Sequence, residues 1–166
     1  MALRITFTIE GEAQFDRALS RFGDGVSDLR PAWSGVAGVL RQHMTRQFAS
    51  EGSHGQAGGW KPLSKRYAKW KAKKFPGRPI LEATGKMKRS LTGVTGDTVL
   101  VMQPLIFGIG TKRKYASYHQ RGGGRLPQRK IIDLTEADKR DVARAIQRAL
   151  VKMARSDGWE VREREA

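Results

Sequence analysis

The side chains best suited to metal or acid–base chemistry are three histidines, which lie far apart in the sequence. His43 falls within a predicted helix, His54 within a glycine-rich segment and His119 after a tyrosine-containing segment. Loop and helical metal sites usually place ligands a few residues apart, and no two of these histidines have that spacing. The chain also has no cysteine, which excludes disulfides, thiolate zinc sites and cysteine nucleophiles. We therefore expect no metal site and no cofactor.

Carboxylates are scarce where the chain is most basic. Between residues 52 and 132, Glu82 and Asp97 are the only acidic residues. Two isolated carboxylates are too few to hold a catalytic divalent ion or to form an obvious acid–base pair. Nuclease chemistry is therefore disfavoured, and we expect the chain not to be an enzyme.

Two glycine-containing motifs resemble nucleotide-binding loops, but each departs from its pattern. The Thr-Gly-Lys segment at 84–86 would need a glycine where Ile80 stands and a serine or threonine where Met87 stands. The Gly-Ile-Gly segment at 108–110 would need a third glycine at the position of Arg113. We interpret these glycines as parts of turns and strand ends.

The positive charge of the chain is concentrated in its middle. The 166 residues include 32 lysines and arginines and 16 acidic residues, for a formal net charge of +16. Residues 1–51 carry six of each sign and residues 133–166 carry eight of each, whereas residues 52–132 carry eighteen basic and two acidic residues. This segregation favours a positive surface that faces a polyanion. A solvated basic surface without a dedicated partner is the alternative.

The basic residues form two blocks that could contact phosphates or acidic proteins. Phosphate contacts would weaken as salt rises, because binding releases counterions. We find no helix-turn-helix, zinc-finger or RNA-recognition signature, so nothing predicts that the chain distinguishes one nucleotide sequence from another. The candidate contact residues are Lys61, Lys65, Arg66, Lys69, Lys71, Lys73 and Lys74 in the first block, and Lys112, Arg113, Lys114, Arg121, Arg125, Arg129 and Lys130 in the second.

Aromatic residues interrupt the first block. Tyr67 and Trp70 lie three residues apart on a predicted helix, so they could stack on bases or pack into the protein. Because aromatic side chains at this spacing more often belong to a core, we expect core packing. We expect His119 to be a polar surface or loop residue rather than a proton shuttle.

Helices are predicted on both sides of the basic region and within it. Apolar residues at helical spacing predict long helices at about 31–49 and 135–155, and Thr135 with Asp138 resembles a capping box at the start of the second. A shorter, basic helix is predicted after Ser64.

A small sheet completes the predicted fold. Alternating residues predict a strand at 3–9, and apolar runs predict a hairpin within 98–110 with Pro104 near its bend. We expect one α+β domain over residues 1–155, in which this antiparallel sheet packs against the two long helices. Residues 52–132 would form a basic, loop-rich insertion, and 156–166 a charged tail.

No stretch of the sequence approaches the roughly 18 consecutive apolar residues that a membrane span needs. The first residues also lack the charged and apolar regions of a signal peptide. We therefore expect a protein that is made and used in the cytosol, or in an assembly built there.

Six short segments stand in a recognisable order along the chain. They are Phe48 with the glycine-rich loop that follows it, and the segments 60–67, 80–91, 109–111, 115–120 and 126–129. Together they resemble the phage virion morphogenesis (tail completion) family of Mu-like phages and their relatives. The similarity extends over about residues 30–150.

The resemblance implies a structural role without catalytic residues. It implies a protein of the head–tail junction that assembles in the host cytoplasm and becomes part of the virion. Its expected partners are other copies of itself in a ring, phage connector or tail proteins, and the backbone of the DNA. A different class of function stays open on the residues alone, namely a nonspecific nucleic-acid-binding protein that acts in packaging or in the host.

Overall fold

A computed structural model describes residues 28–156 of the chain. In chain order its elements are α1 (Arg30–Ala49), α2 (Lys65–Lys74), α3 (Lys86–Thr92), β1 (Thr98–Met102), β2 (Phe107–Thr111), α4 (Lys114–Arg121) and α5 (Glu136–Ser156). Over this range the α+β class is confirmed, with five helices and one two-stranded antiparallel sheet. The strand predicted at 3–9 and nearly all of the predicted tail lie outside the described residues.

The core is centred on the contact between α1 and α5, which lie close to the predicted 31–49 and 135–155. Pro31 occupies the first turn of α1, where its missing N–H costs no intrahelical hydrogen bond. Each fully buried apolar side chain contributes about 1.5–3 kcal/mol to stability. The buried apolar residues of the two helices include Trp33, Val36, Leu40, Met44 and Phe48 of α1 and Val142, Ala145, Ile146 and Leu150 of α5.

The predicted hairpin is confirmed, and its bend contacts the start of α1. Strand β1 pairs antiparallel with β2, and Pro104 lies in the connection. The backbone N–H of Leu29 donates to the oxygen of Pro104 at 2.7 Å, and Trp33 Nε1 donates to the oxygen of Gln103 at 2.7 Å. The Trp33 ring also lies 5.6 Å from the ring of Phe107 in β2, so the hairpin is fixed to α1 at both its bend and its buried strand.

The sheet also packs against a helix that the predicted fold did not assign to it. All five residues of β2 are buried, and α3 contacts this strand. Ser90 of α3 and Thr111 of β2 are fully buried, and their hydroxyl oxygens lie 2.7 Å apart. The short helix α3 therefore shares with α1 the role of covering the sheet.

Residues 52–132 contain α2, α3, the hairpin and α4, joined by irregular segments. The two ends of this basic region meet beside α1. Trp60 Nε1 donates to the backbone oxygen of Lys130 at 2.8 Å, and Gln47 Nε2 of α1 donates to the same oxygen at 3.0 Å. None of the helices within residues 28–156 combines the length and apolar character needed to cross a membrane.

Candidate functional site

Helix α2 presents most of the first basic block to solvent. Ser64 begins the helix as predicted, since its hydroxyl accepts a hydrogen bond from the backbone N–H of Tyr67. The helix contains six basic residues in ten and no acidic residue. We call the exposed set on and just before α2 the α2 basic surface: Lys61, Lys65, Arg66, Lys69, Lys73 and Lys74. Within residues 28–156 none of these six forms an ion pair.

Lys71 lies on α2 but is buried, so it does not belong to the α2 basic surface. Its side chain is 4% exposed, and its Nζ donates to the backbone oxygen of Pro79. Burial lowers the pKa of Lys71, although Glu51 and Glu82 partly oppose the effect. Lys71 therefore holds the segment after α2 against the helix, and the structure does not present it to a surface partner.

Tyr67 and Trp70 are exposed, so the prediction that they pack into the core is wrong. Their side chains are 43% and 47% exposed, and their rings stack on each other with centroids 5.2 Å apart. Phe75 contacts Trp70 edge-on, and Lys74 Nζ lies 6.0 Å from the centroid of the Trp70 ring. Because α2 has no apolar stripe, the two rings pack against each other, and Trp70 also lies against Phe75 and close to Lys74.

The second basic block is dispersed, and several of its members already have partners. Arg113 forms an ion pair with Asp97, and Lys112 Nζ donates to the backbone oxygen of Gly96 at 2.9 Å. Lys130 Nζ lies 3.8 Å from Asp133 Oδ1. The remaining surface members of this block are exposed: Lys114, Arg121 and Arg125. The α2 basic surface is therefore the denser concentration of positive charge without carboxylate partners in the described range.

Arg129 belongs to the interior rather than to the surface. It is 4% exposed, and its Nε and Nη2 donate to the backbone oxygens of Lys61 and Pro62 at 2.7 and 2.9 Å. Burial lowers the pKa of Arg129, and no carboxylate among residues 28–156 pairs with it. Its guanidinium fixes the segment before α2 to the segment after α4.

A cavity of about 560 Å³ lies between α2, α3 and α4. Its lining combines apolar side chains such as Leu63 and Met87 with basic ones such as Lys86 and Arg125. Glu82 also lines it but is paired with Lys88, whose Nζ lies 2.8 Å from Glu82 Oε1. Four of the segments that carry the family resemblance meet at this cavity, 60–67, 80–91, 115–120 and 126–129.

His119 lies on α4 and lines this cavity, where it is half-buried. Its Nδ1 is buried and has no hydrogen-bond partner among the described residues. Burial lowers the pKa of His119, and the positive charge of Arg129 lowers it further. The neutral imidazole is therefore favoured at neutral pH.

A separate cluster joins the other two histidines to one carboxylate. His43 Nδ1 of α1 lies 2.9 Å from Asp138 Oδ2 of α5, and His54 Nε2 lies 3.4 Å from Asp138 Oδ1. The spacing rule for metal ligands could not detect this cluster, because its members come from three segments up to 95 residues apart. Two signals were present in the sequence, a histidine next to the apolar stripe of α1 and the predicted capping carboxylate of α5.

Comparison with known proteins assigns the chain to one protein family. Residues 11–151, most of the chain, match the phage virion morphogenesis family. No curated protein and no solved structure gives a significant match. The match covers α1 to α4 and most of α5, and therefore includes the α2 basic surface and the cavity. The chain belongs to the phage virion morphogenesis family.

Proposed function

We propose that this chain is a non-enzymatic structural protein of the phage head–tail junction, where it completes the tail or joins it to the head. In this proposal it assembles as a homo-oligomeric ring near the DNA channel and contacts phage connector or tail proteins. Membership of the phage virion morphogenesis family supports a role in virion assembly. The position at the junction and the ring are the parts that need experimental tests.

The observation that carries the proposal is the α2 basic surface. Five of its six cationic side chains lie on α2, and the sixth, Lys61, lies in the segment just before this helix. No carboxylate in residues 28–156 forms an ion pair with any of them. Two of them, Lys73 and Lys74, lie in the last turn of α2, where the helix dipole favours positive charge. Rotational symmetry in a ring would repeat this surface once per subunit and create a positive collar. Duplex DNA carries about one negative charge per 1.7 Å of its axis, which suits such a collar.

The same surface supports a second candidate, nonspecific binding of nucleic acid in packaging or in the host. Contacts to phosphates need no base-reading side chains, so the α2 basic surface suits duplex DNA of any nucleotide sequence. This candidate therefore predicts salt-sensitive binding of duplex DNA by the isolated protein. The two candidates differ in whether virions form without the protein.

The first test is electron microscopy of lysates from the phage that encodes this chain, with its gene deleted. Filled heads separate from free tails would support a role in joining or tail completion, and supplying the wild-type chain in trans should restore complete particles. Normal infectious particles from the deletion would overturn the proposal and leave the nucleic-acid-binding candidate.

The second test compares two variants that each lose four positive charges. Lys65, Lys69, Lys73 and Lys74 are replaced by glutamine in one variant, and the exposed α5 residues Arg140, Arg144, Arg148 and Lys152 in its matched control. If the α2 basic surface serves assembly, only the α2 variant should fail to complement the deletion. If it serves DNA binding alone, the α2 variant should lose salt-sensitive binding to duplex DNA but still complement.

A further inference from the structure

We propose that His43, His54 and Asp138 form a binding site for a divalent transition-metal ion, with Zn²⁺ as the expected occupant. The site is distinct from the α2 basic surface and from the cavity, and its argument does not depend on a role at the head–tail junction. Two imidazoles and one carboxylate form a ligand set that suits Zn²⁺, with water completing the coordination.

The geometry already brings the three ligands together. One ligand atom from each residue lies within 4.8 Å of the other two. His43 Nδ1 lies 2.9 Å from Asp138 Oδ2, and His54 Nε2 lies 3.4 Å from Asp138 Oδ1. Atoms bound to one tetrahedral zinc ion at about 2.1 Å are about 3.4 Å apart. Small side-chain movements would therefore convert the cluster into a coordination site.

Hydrogen bonds from Thr135 fix the orientation of the Asp138 carboxylate, as neighbouring groups usually do for metal ligands. The backbone N–H and the hydroxyl of Thr135 donate to Asp138 Oδ2 at 2.9 and 2.5 Å, and Asp138 N–H donates to the Thr135 hydroxyl at 3.1 Å. This reciprocal arrangement is the predicted capping box of α5. Among residues 28–156, the one hydrogen-bond partner of Asp138 Oδ1 is His54 at 3.4 Å, which leaves a lone pair of this oxygen available to an ion.

An ion at this site would replace the proton that His43 Nδ1 directs at Asp138 Oδ2, because only an imidazole nitrogen without a proton binds a metal. Metal binding would therefore release that proton.

Within the described part of the chain, the cluster is open to solvent on the side of His54. His43 is 1% exposed and Asp138 3%, whereas the His54 side chain is 25% exposed. His54 lies in the glycine-rich loop, which contacts both α5 and the segment before it. The backbone N–H of Ala57 donates to Asp133 Oδ2 at 2.5 Å, and Gln56 Nε2 donates to Glu136 Oε1 at 3.3 Å. A bound ion would therefore cross-link this loop to α1 and α5.

An ordinary buried hydrogen bond between His43 and Asp138 is the competing explanation. That explanation gives His54 only a long 3.4 Å contact with Asp138 Oδ1, whereas a metal site requires its imidazole as the partly exposed third ligand. The experiment therefore centres on His54→Gln, which changes a partly exposed loop residue. The matched control is His119→Gln, the same substitution at the one histidine outside the cluster.

The test uses the untagged full-length chain after dialysis against EDTA. Isothermal titration with Zn²⁺ measures stoichiometry and affinity, and Co²⁺ serves as a spectroscopic probe because its visible absorption reports tetrahedral nitrogen and oxygen ligation. We expect one Zn²⁺ per chain, a rise in melting temperature with Zn²⁺, and at least about tenfold weaker binding in His54→Gln. His119→Gln should bind like the wild type.

Two outcomes would overturn the metal site. One is the absence of stoichiometric binding at micromolar Zn²⁺, and the other is equal affinity of His54→Gln and wild type. The melting temperature of His54→Gln without metal should match that of the wild-type apoprotein, which separates a lost ligand from a lost fold. Because every readout is made on the purified chain, these outcomes are independent of the proposed role at the junction.

Discussion

The indole Nε1 of Trp60 donates a 2.8 Å hydrogen bond to the backbone oxygen of Lys130. The two residues stand 70 positions apart, at the start and near the end of the basic region. Gln47 donates to the same oxygen at 3.0 Å, and the Trp60 ring meets Phe48 edge-on with centroids 5.4 Å apart. Both ends of the basic region are therefore fixed to the C-terminal half of α1.

Trp60→Phe should destabilise the protein through the loss of this hydrogen bond. The variant keeps most of the buried ring but removes the donor, so we expect the free energy of unfolding to fall by about 1–2 kcal/mol. Trp60→Ala should cost about 3–5 kcal/mol because it also leaves a cavity. Urea unfolding measures both changes. Trp70→Phe is the control, since Trp70 is 47% exposed, and an equal loss in that variant would contradict the assignment.

Arg129→Lys should show that the guanidinium geometry matters more than the positive charge. Lysine cannot supply the two diverging N–H groups that reach the oxygens of Lys61 and Pro62. We expect a loss of about 1–3 kcal/mol in the free energy of unfolding. Arg125→Lys, at an exposed position on the same cavity, should change it little. Similar losses in the two variants would argue against a structural role for Arg129.

His119 should contribute to the pH dependence of stability. Burial and the charge of Arg129 lower its pKa below the ordinary 6.5, while Arg125 and Lys71 line the same cavity. The unfolded chain therefore binds this proton more readily, so the contribution is complete above pH 6.5 and is lost as the pH falls below it. Between about pH 7.5 and pH 5.5, wild type should lose more stability than His119→Gln. Parallel curves from urea unfolding at each pH would contradict this expectation.

Two glycines should respond in opposite ways to alanine. At Gly38 in α1 an added methyl group would meet no atom of residues 28–156 within 4 Å outside the helix's own backbone, so Gly38→Ala should stabilise the helix by about 0.5–1 kcal/mol. Gly52 has φ +91°, and a methyl group there would collide with the Trp60 ring. Gly52→Ala should therefore lower the melting temperature while Gly38→Ala raises it. Changes of the same sign in thermal unfolding would refute the contrast.

Local sequence patterns were sufficient to locate the main elements within the described range. The periodicity of residues such as Val36, Leu40 and Met44 predicted α1, and Ser64 predicted the start of α2, because helices and caps depend on nearby residues. The hairpin with Pro104 in its bend followed from equally local signals. The packing of α3 on β2 did not, since it depends on how distant segments meet.

Side-chain environments in the basic region were harder to predict. Lys71 and Arg129 look like their surface neighbours in the sequence, yet both are buried because backbone oxygens from other segments accept their hydrogen bonds. Tyr67 and Trp70 were predicted to be buried because aromatic residues usually are, but α2 offers no apolar face for them to complete. The amino-acid composition of the basic region therefore gives its net charge, but it does not show which of its charged side chains are exposed to solvent.

The contacts of α1 have a consequence for the time course of folding. Its bonds through Trp33, Gln47 and His43 span 70, 83 and 95 residues, so each of them requires chain that is synthesised long after α1. During translation the apolar stripe of α1 therefore leaves the ribosome before α5 exists to cover it. Contacts this distant in sequence form late in folding, and the apolar surface that they cover stays exposed until then. Newly made chains should depend on chaperones until residue 138 and the rest of α5 have emerged.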